Sequence, residues 1–300
     1  MTPKKLWLTL AAVIIGSFAV LGFYGVEIFR EMPPFPNKVV TEKGETLFEG
    51  QDIKDGQNVW QSIGGQTVGS VWGHGSYVAP DWTADYLHRE SLLMLTALAK
   101  KEGKVYSRLS EAEKAKYQVL LKEELRRNTY DPATGIITYS ELRANVAREL
   151  SRYYAKLFLN DPSMNRLRSA YAMREKSIEA VDGLTAQQRF EKMDAFFAWS
   201  SWVCVTNRPG SDVSYTNNWP HDPLIGNVAP TSLHLWSGFS ILLLLFFVGI
   251  LVYYYAQHKE EHVSHVPDSD PMRNLKPTPS MRAVLKYIWV VGALMLVQML

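Results

Sequence analysis

The chain has 300 residues, 47% of them hydrophobic, with 32 Lys and Arg against 30 Asp and Glu. This near balance, without a basic stripe or recognition motif, excludes the usual nucleic-acid binders. The single cysteine, Cys204, excludes an internal disulfide or a cysteine metal cluster and sits in an apolar aromatic run, where it reads as a buried, inert thiol.

The chain opens on a short basic end, Met1–Lys5, followed by Leu6–Ile28, 23 residues uncharged until Glu27. A bilayer needs about 20 apolar residues. The run is long for a signal peptide, and bulky Phe23-Tyr24 stands where small residues would mark cleavage. Residues 1–30 therefore read as an uncleaved first transmembrane helix, with Lys4 and Lys5 keeping the N-terminus in the cytoplasm. Met32-Pro-Pro-Phe-Pro36 follows as a stiff extended linker, because proline lacks an amide donor and breaks helices.

Residues 31–231 are soluble in character and are expected outside the cytoplasm. They read as mainly helical. Asp52–Gln61 is a short helix, and Ala84–Lys101 places Leu87, Leu92, Leu95 and Leu98 near helical spacing. Ser110 and Glu113 form a capping box that opens a helix to about Arg127. Asp131–Gly135 is a turn and Ile136–Tyr139 a short strand. From Ser140, an amphipathic helix carries Leu142, Val146, Leu150, Tyr153 and Leu157. Helices over Ser163–Ile178 and Thr185–Phe197 complete the domain, the second opened by a Thr185/Gln188 capping box.

Between the first two helices lies Trp60–Asp81, with glycines at 64, 65, 69, 73 and 75. So much glycine belongs in neither a helix nor a strand. The stretch reads as a long ordered loop held by Trp60, Trp72, Tyr77 and Trp82. Asp194–Ser232 is aromatic and then rich in turn residues. Tryptophan and tyrosine gather at membrane interfaces, so this segment is expected as a collar lying on the membrane.

Residues 232–256 are read as a second span, with His234 and Trp236 at its outer end and Tyr253–Tyr255 at its inner end. It either makes a contact between copies in a homodimer or simply returns the chain. Residues 257–286 are then a cytoplasmic loop, since Lys259, Arg273, Lys276, Arg282 and Lys286 lie there. Residues 287–300 begin a third span that is still apolar at Leu300, so the expectation is the first part of a longer membrane protein.

Few side chains carry chemistry on their own. His258, His262 and His265 have spacing that suits one helix face, but charged neighbours and Pro267 favour a solvated loop over a metal site. His74, with Tyr77 and Asp81, has no nucleophile elbow near it. His221 is a loop hydrogen-bonder, His234 a headgroup-level histidine, and Glu27 a solvated anchor. P-loop, dinucleotide, CxxC and CxxCH motifs are all lacking.

The Trp60–Asp81 stretch resembles the haem-binding stretch of membrane-anchored cytochrome c subunits of bacterial nitric oxide reductases. Its Gly73-His-Gly-Ser-Tyr-Val-Ala-Pro-Asp81 is similar to the Gly-x-Gly-Ala-Tyr-x-Ala-Pro-acidic ending of that pattern. The CxxCH of the pattern falls on Gly65, Gln66, Thr67, Val68 and Gly69, so both thioether cysteines and the axial histidine are replaced. A cytochrome c-like domain without haem c, together with Thr216-Asn-Asn-Trp-Pro220 and Asp222-Pro-Leu-Ile-Gly226, resembles the quinol-dependent, single-subunit nitric oxide reductases.

That resemblance implies a mainly α membrane protein in a bacterial inner membrane, with a periplasmic domain leading into a haem-copper-oxidase-like helix bundle. The implied reaction is 2 NO + quinol giving N2O + H2O + quinone, in denitrification or NO detoxification, with ubiquinol or menaquinol as donor. Haem b, haem b3 and a non-haem iron are implied, all held beyond Leu300. Calcium is implied at backbone oxygens of Gly75–Tyr77, since hard cations favour carbonyls. Trp219, Trp236 and His234 are candidates for a quinol site, and membrane lipid is a further expected partner. The competing readings are a membrane-anchored periplasmic sensor or assembly module, and a quinol-oxidising relative that reduces O2.

Overall fold

In the computed structural model, residues 3–174 and 177–262 are described, with 279, 287 and 289–295. The chain divides into two compact units, Met1–Ala229 and Pro230–Leu300.

The first unit opens with α1 (Pro3–Glu31), long and apolar enough to cross a membrane. Four short strands follow at intervals: β1 (Lys38–Thr41), β2 (Thr46–Glu49), β3 (Tyr130–Asp131) and β4 (Ile136–Tyr139). They form one sheet in the order β2-β1-β4-β3. β1 lies parallel to β4, pairing Val39 with Ile137, while the outer pairs are antiparallel. The first two strands escape a reading by pattern because four residues with a bulge between Val39 and Val40 carry too little alternation.

Five principal helices make up the rest of the domain: α2 (Gly50–Ser62), α3 (Trp82–Lys101), α4 (Glu111–Arg126), α5 (Glu141–Phe158) and α7 (Ala186–Val205), with α2 against β2 and α5 against β4. Their starts are written in the sequence. The Ser110/Glu113 and Thr185/Gln188 capping boxes both form, and the Ser140 hydroxyl accepts from Arg143 N. Gly56 lets α2 approach α7 closely, since a Cβ there would lie 1.9 Å from Lys192 O. Lys192 then reaches back to Asp52 (3.0 Å) and Asp55 (2.8 Å) on α2.

Three expectations need correction. The helix expected over Ser163–Ile178 is a 3-10 turn, Pro162–Met164, and a short α6 (Asn165–Ala170), after which the chain turns. Its polar, Arg-rich sequence lacks a continuous apolar stripe to bury. The helix expected to end at Phe197 runs on to Val205. Hence the front of the expected membrane collar is core: every residue from Ala195 to Val205 is buried. A helix apolar on all sides belongs inside a protein as readily as at an interface. Here α2, α3, α4 and α5 all pack against it.

The second unit contains α8 (Thr231–His262), of which Thr231–Tyr255 is long and apolar enough to cross a membrane. The helix passes through the point at residue 257 where the loop was expected and takes in His258 and His262. His265 and nearly all the expected basic loop lie outside the described residues. Of the expected third span, 287 and 289–295 are described, and they are helical.

Candidate functional site

The glycine stretch is fixed at its base by α3. Asp81 caps that helix, its Oδ1 accepting from Ala84 N (2.9 Å) and from the Thr83 hydroxyl. Its Oδ2 accepts from Ser70 Oγ (2.6 Å) and Gly73 N (2.7 Å), clasping the loop shut. A carboxylate at a helix N-terminus is favoured by the orphan N–H groups and the helix dipole. Ser70 also pairs with Asp81 as a parallel bridge, through Ser70 N to Pro80 O (3.2 Å) and Trp82 N to Ser70 O (2.8 Å). Trp82 is fully buried and donates to Val68 O (2.7 Å), while its ring stacks on Phe197 and meets Phe158 and Tyr171 edge-on. Trp72 donates to Ser200 O on α7 (3.1 Å).

Trp60 and Trp82 hold the loop as the sequence suggests, whereas Tyr77 does not. It is fully exposed at the tip of a turn closed by Ser76 N to Ala79 O (2.9 Å). Among the described residues, no hydrogen bond goes to the carbonyls of Gly75, Ser76 or Tyr77.

Gly65–Val68 is a 3-10 turn with Val68 buried. At Gly69, with φ +110°, a Cβ would stand 2.2 Å from Trp82 Nε1 and 2.6 Å from Pro80 O. Gly69, which the resemblance sets against an axial histidine, has no room for a side chain, and Gly65 and Val68 offer no sulfur. The residues present do not fit a c-type haem.

A second loop, 206–229, meets the first. Trp219 Nε1 donates to Gly73 O (3.1 Å), and the Trp219 ring lies edge-on to His74 at 4.7 Å. Arg126, at the end of α4, organises this loop. Its guanidinium donates to Asn207 Oδ1 (2.9 Å), Asn227 Oδ1 (3.1 Å), Ile225 O (3.1 Å) and Gly226 O (2.9 Å), with longer bonds to Asn218. Asn227, wholly buried, passes hydrogen bonds on to Cys204 O (3.0 Å) and Pro220 O (2.9 Å). Asn217 and Asn218 take positive φ, which asparagine tolerates better than most residues. His88 on α3 ties the same loop through Asp222 (3.0 Å).

A buried polar cluster lies between α3, α5 and α7. Arg143 pairs with Glu90 (2.8 Å), both buried, and its guanidinium sits 4.5 Å from the Tyr139 ring centre. Burial works against the Arg143 charge, but Glu90 beside it holds the guanidinium above its ordinary value. Burial pushes Tyr139 up to about 12 and raises Tyr86 well above the normal phenol. Asp194 on α7 is pushed up to about 7 by burial, against the opposing hydrogen bond of Ser151, with Glu191 adding repulsion. Its Oδ1 is enclosed and unpartnered. Burial likewise raises the Cys204 thiol, which stays neutral. Sequence reasoning passed over Arg126, Glu90, Arg143 and Asp194, because a charge on a helix shows its partner only once the helices pack. For Arg126 alone a signal was available, the Thr216-Asn-Asn-Trp-Pro220 run whose Asn218 it holds.

On α8, His234 and Trp236 are exposed; His234 Nδ1 lies 3.3 Å from Pro230 O and Trp236 meets Phe239 edge-on. Among the described residues, no group of three or more His, Cys, Asp or Glu side chains could hold a metal ion.

These features define a mainly helical domain on an apolar helix, with a glycine-rich loop clasped by Asp81 at the start of α3. Residues 36–221 match the NorB cytochrome c-like domain of nitric oxide reductase, and the chain belongs to that oxidoreductase family. No match was found among curated proteins.

Proposed function

We propose that this chain is the N-terminal part of a quinol-dependent nitric oxide reductase, with residues 31–231 on the periplasmic side of a bacterial inner membrane. The observation that carries the reading is Gly69: the place of an axial histidine is filled by Trp82, so the domain is built without the electron-carrying haem c. A two-electron donor from the bilayer then replaces a soluble cytochrome, and quinol supplies both the electrons and the protons that turn 2 NO into N2O and H2O. Haem b, haem b3 and a non-haem iron supply the redox chemistry when bound; no described residue of this chain is assigned to them.

This chain's own contribution is a rigid platform. Asp81 and Arg126 hold the two loops, and Trp219 joins them. His234 and Trp236 are proposed as quinol contacts, with His234 offering an imidazole for a quinol hydroxyl. The free carbonyls of Gly75 and Tyr77 suit a hard cation such as calcium, completed by ligands from elsewhere. The Asp81 carboxylate is already satisfied by four donors and is not among them.

The test is a pyridine haemochrome spectrum and iron count on the whole protein, followed by NO consumption with quinol or reduced cytochrome c as donor. The expected result is b-type haem only, a non-haem iron, and turnover with quinol alone. A c-type haem, or turnover driven by cytochrome c, overturns the reading. For calcium, metal analysis before and after chelation is expected to show one equivalent lost, and no stoichiometric calcium refutes the site. An unchanged KM for quinol in His234→Ala removes that residue from the quinol site.

A further inference from the structure

We propose that Tyr154, with Asp85 as its proton acceptor and Tyr153 as its exit to the surface, forms a redox relay that repairs Trp82 after one-electron oxidation. Trp82 is a keystone of the glycine loop. It has no exposed surface, it fills the space beside Gly69, and its Nε1 donates to Val68 O (2.7 Å). Indole and phenol are the most readily oxidised rings in a protein, and an indole that has lost an electron takes one from a phenol in contact with it. Trp82 has two such phenols: Tyr154 meets it edge-on with ring centres 6.4 Å apart, and Tyr171 at 6.0 Å. Tyr153 stands edge-on to Tyr154 at 5.1 Å. Packing alone asks only for rings, as Phe158 and Phe197 supply on the same indole. The Tyr154 hydroxyl carries more than packing.

It donates to Asp85 Oδ2 (2.8 Å), within reach for direct proton transfer. A buried phenol does not readily lose an electron alone, because the cation left behind is unsolvated. With a carboxylate on its hydroxyl, electron and proton leave together. Arg89 Nε donates to the same Oδ2 (2.8 Å) and fixes the carboxylate in place. Burial, with Asp85 beside it, keeps the Tyr154 phenol protonated and so able to give a proton. Arg89 also covers the Tyr153 ring at 4.2 Å and disfavours a cation there. Tyr153 therefore gives an electron only as its own proton passes to water, which its half-buried position allows. The oxidant is a small neutral radical of the nitrogen dioxide class, able to enter an apolar core; it takes one electron from the indole and leaves as nitrite. Tyr154 gives the indole an electron and Asp85 a proton, which restores Trp82 and leaves a neutral phenoxyl. Tyr153 returns an electron to that phenoxyl, Asp85 returns the proton, and Tyr153 releases its own proton to water. A thiol at the surface gives a hydrogen atom to the Tyr153 phenoxyl, and two of the resulting thiyl radicals join as a disulfide.

The test exposes the whole protein to nitrogen dioxide in aerated buffer with a thiol present and maps the products by peptide mass spectrometry. An indole that is not repaired goes on to kynurenine. Trp72 is the internal reference, since it is partly exposed and its ring meets Trp199 rather than a tyrosine. Tyr154→Phe keeps the ring and removes the transferable proton. The expected result is a several-fold rise in kynurenine at Trp82 relative to Trp72. An unchanged ratio overturns the proposal, and so does an equal rise at both tryptophans, which marks a loosened fold. A second measurement needs no substitution. The Tyr154 step moves a proton, so heavy water is expected to raise the Trp82 to Trp72 ratio in the parent protein, and equal ratios in the two solvents overturn the relay. The parent is also expected to gain nitrotyrosine at Tyr153, where the radical comes to rest. No product at Trp82, Tyr153 or Tyr154 in either protein overturns the proposal as well, because the oxidant then never reaches the core.

Discussion

Asp194 offers the sharpest test of how the core is built. Asp194 is half-buried on α7 with one carboxyl oxygen enclosed and unpartnered, and burial raises its pKa from 3.8 to about 7. In the unfolded chain it ionises near 3.8, whereas in the folded chain it keeps its proton until about 7. Between these values the folded state binds more protons, so stability falls as pH rises. The contribution is fully present below pH 3.8, declines through the interval, and is gone above about 7. A rise of about three units corresponds to about 4 kcal/mol lost across this window. Asp194→Asn cannot ionise and removes that slope. Its amide brings a donor that costs about 1 kcal/mol where it finds no acceptor. The variant is therefore expected to be about 1 kcal/mol less stable than the parent at pH 4 and about 3 kcal/mol more stable at pH 8. Urea unfolding of both proteins, followed by tryptophan fluorescence at a series of pH values, reads the difference. Parallel pH profiles for the two proteins would refute the reasoning, because the neighbouring Glu90 and Glu191 remain in both.

Gly69→His forces a side chain against Trp82 and Pro80 at positive φ, and a loss of about 3 kcal/mol or more is expected in the same unfolding assay. Restoring the whole motif with Gly65→Cys, Val68→Cys and Gly69→His is expected to give no haemochrome band for c-type haem unless Trp82 is also made small; a band with Trp82 intact would refute the packing argument. Arg126→Ala strips donors from several carbonyl and amide oxygens in the 206–229 loop and is expected to cost about 3–5 kcal/mol, with Arg126→Lys recovering only part because an ammonium lacks the planar fork. Full stability in the alanine variant would remove Arg126 as the organiser of that loop. Glu90→Gln leaves the buried Arg143 charge unpaired, with an expected loss of about 3–5 kcal/mol, and a neutral effect would show the pair to be dispensable.

Local chemistry carried much of the domain. The capping boxes at Ser110 and Thr185, the N-cap at Ser140 and the strand Ile136–Tyr139 are set by side chains within a few residues of one another, so the sequence alone reveals them. The same is true of the glycine loop, since a run with so many positive-φ positions has few other conformations open to it. The resemblance of residues 60–81 and 216–226 pointed to the family that residues 36–221 match.

Burial was beyond the sequence. An aromatic helix bound for a core and one bound for a membrane surface have the same composition, and only the four helices packed around α7 decide that Phe197, Trp199 and Trp202 are interior. Tyr77 and Trp82 looked equivalent as anchors, yet one is bare and the other enclosed, because Trp82 begins a helix aimed into the core while Tyr77 tips a turn aimed out of it. Hydrophobicity says that a side chain favours leaving water; it does not say which neighbours will cover it. The pairings Arg143–Glu90, Arg126–Asn227 and Trp219–Gly73 join residues 53, 101 and 146 positions apart, and such partners exist only after the helices have packed. The sequence by itself determined the local elements and the lack of a CxxCH motif, since these depend on near neighbours. Only the tertiary structure decided what surrounds Gly69 and which charges are held in the core, since those depend on segments apart in the chain meeting in space.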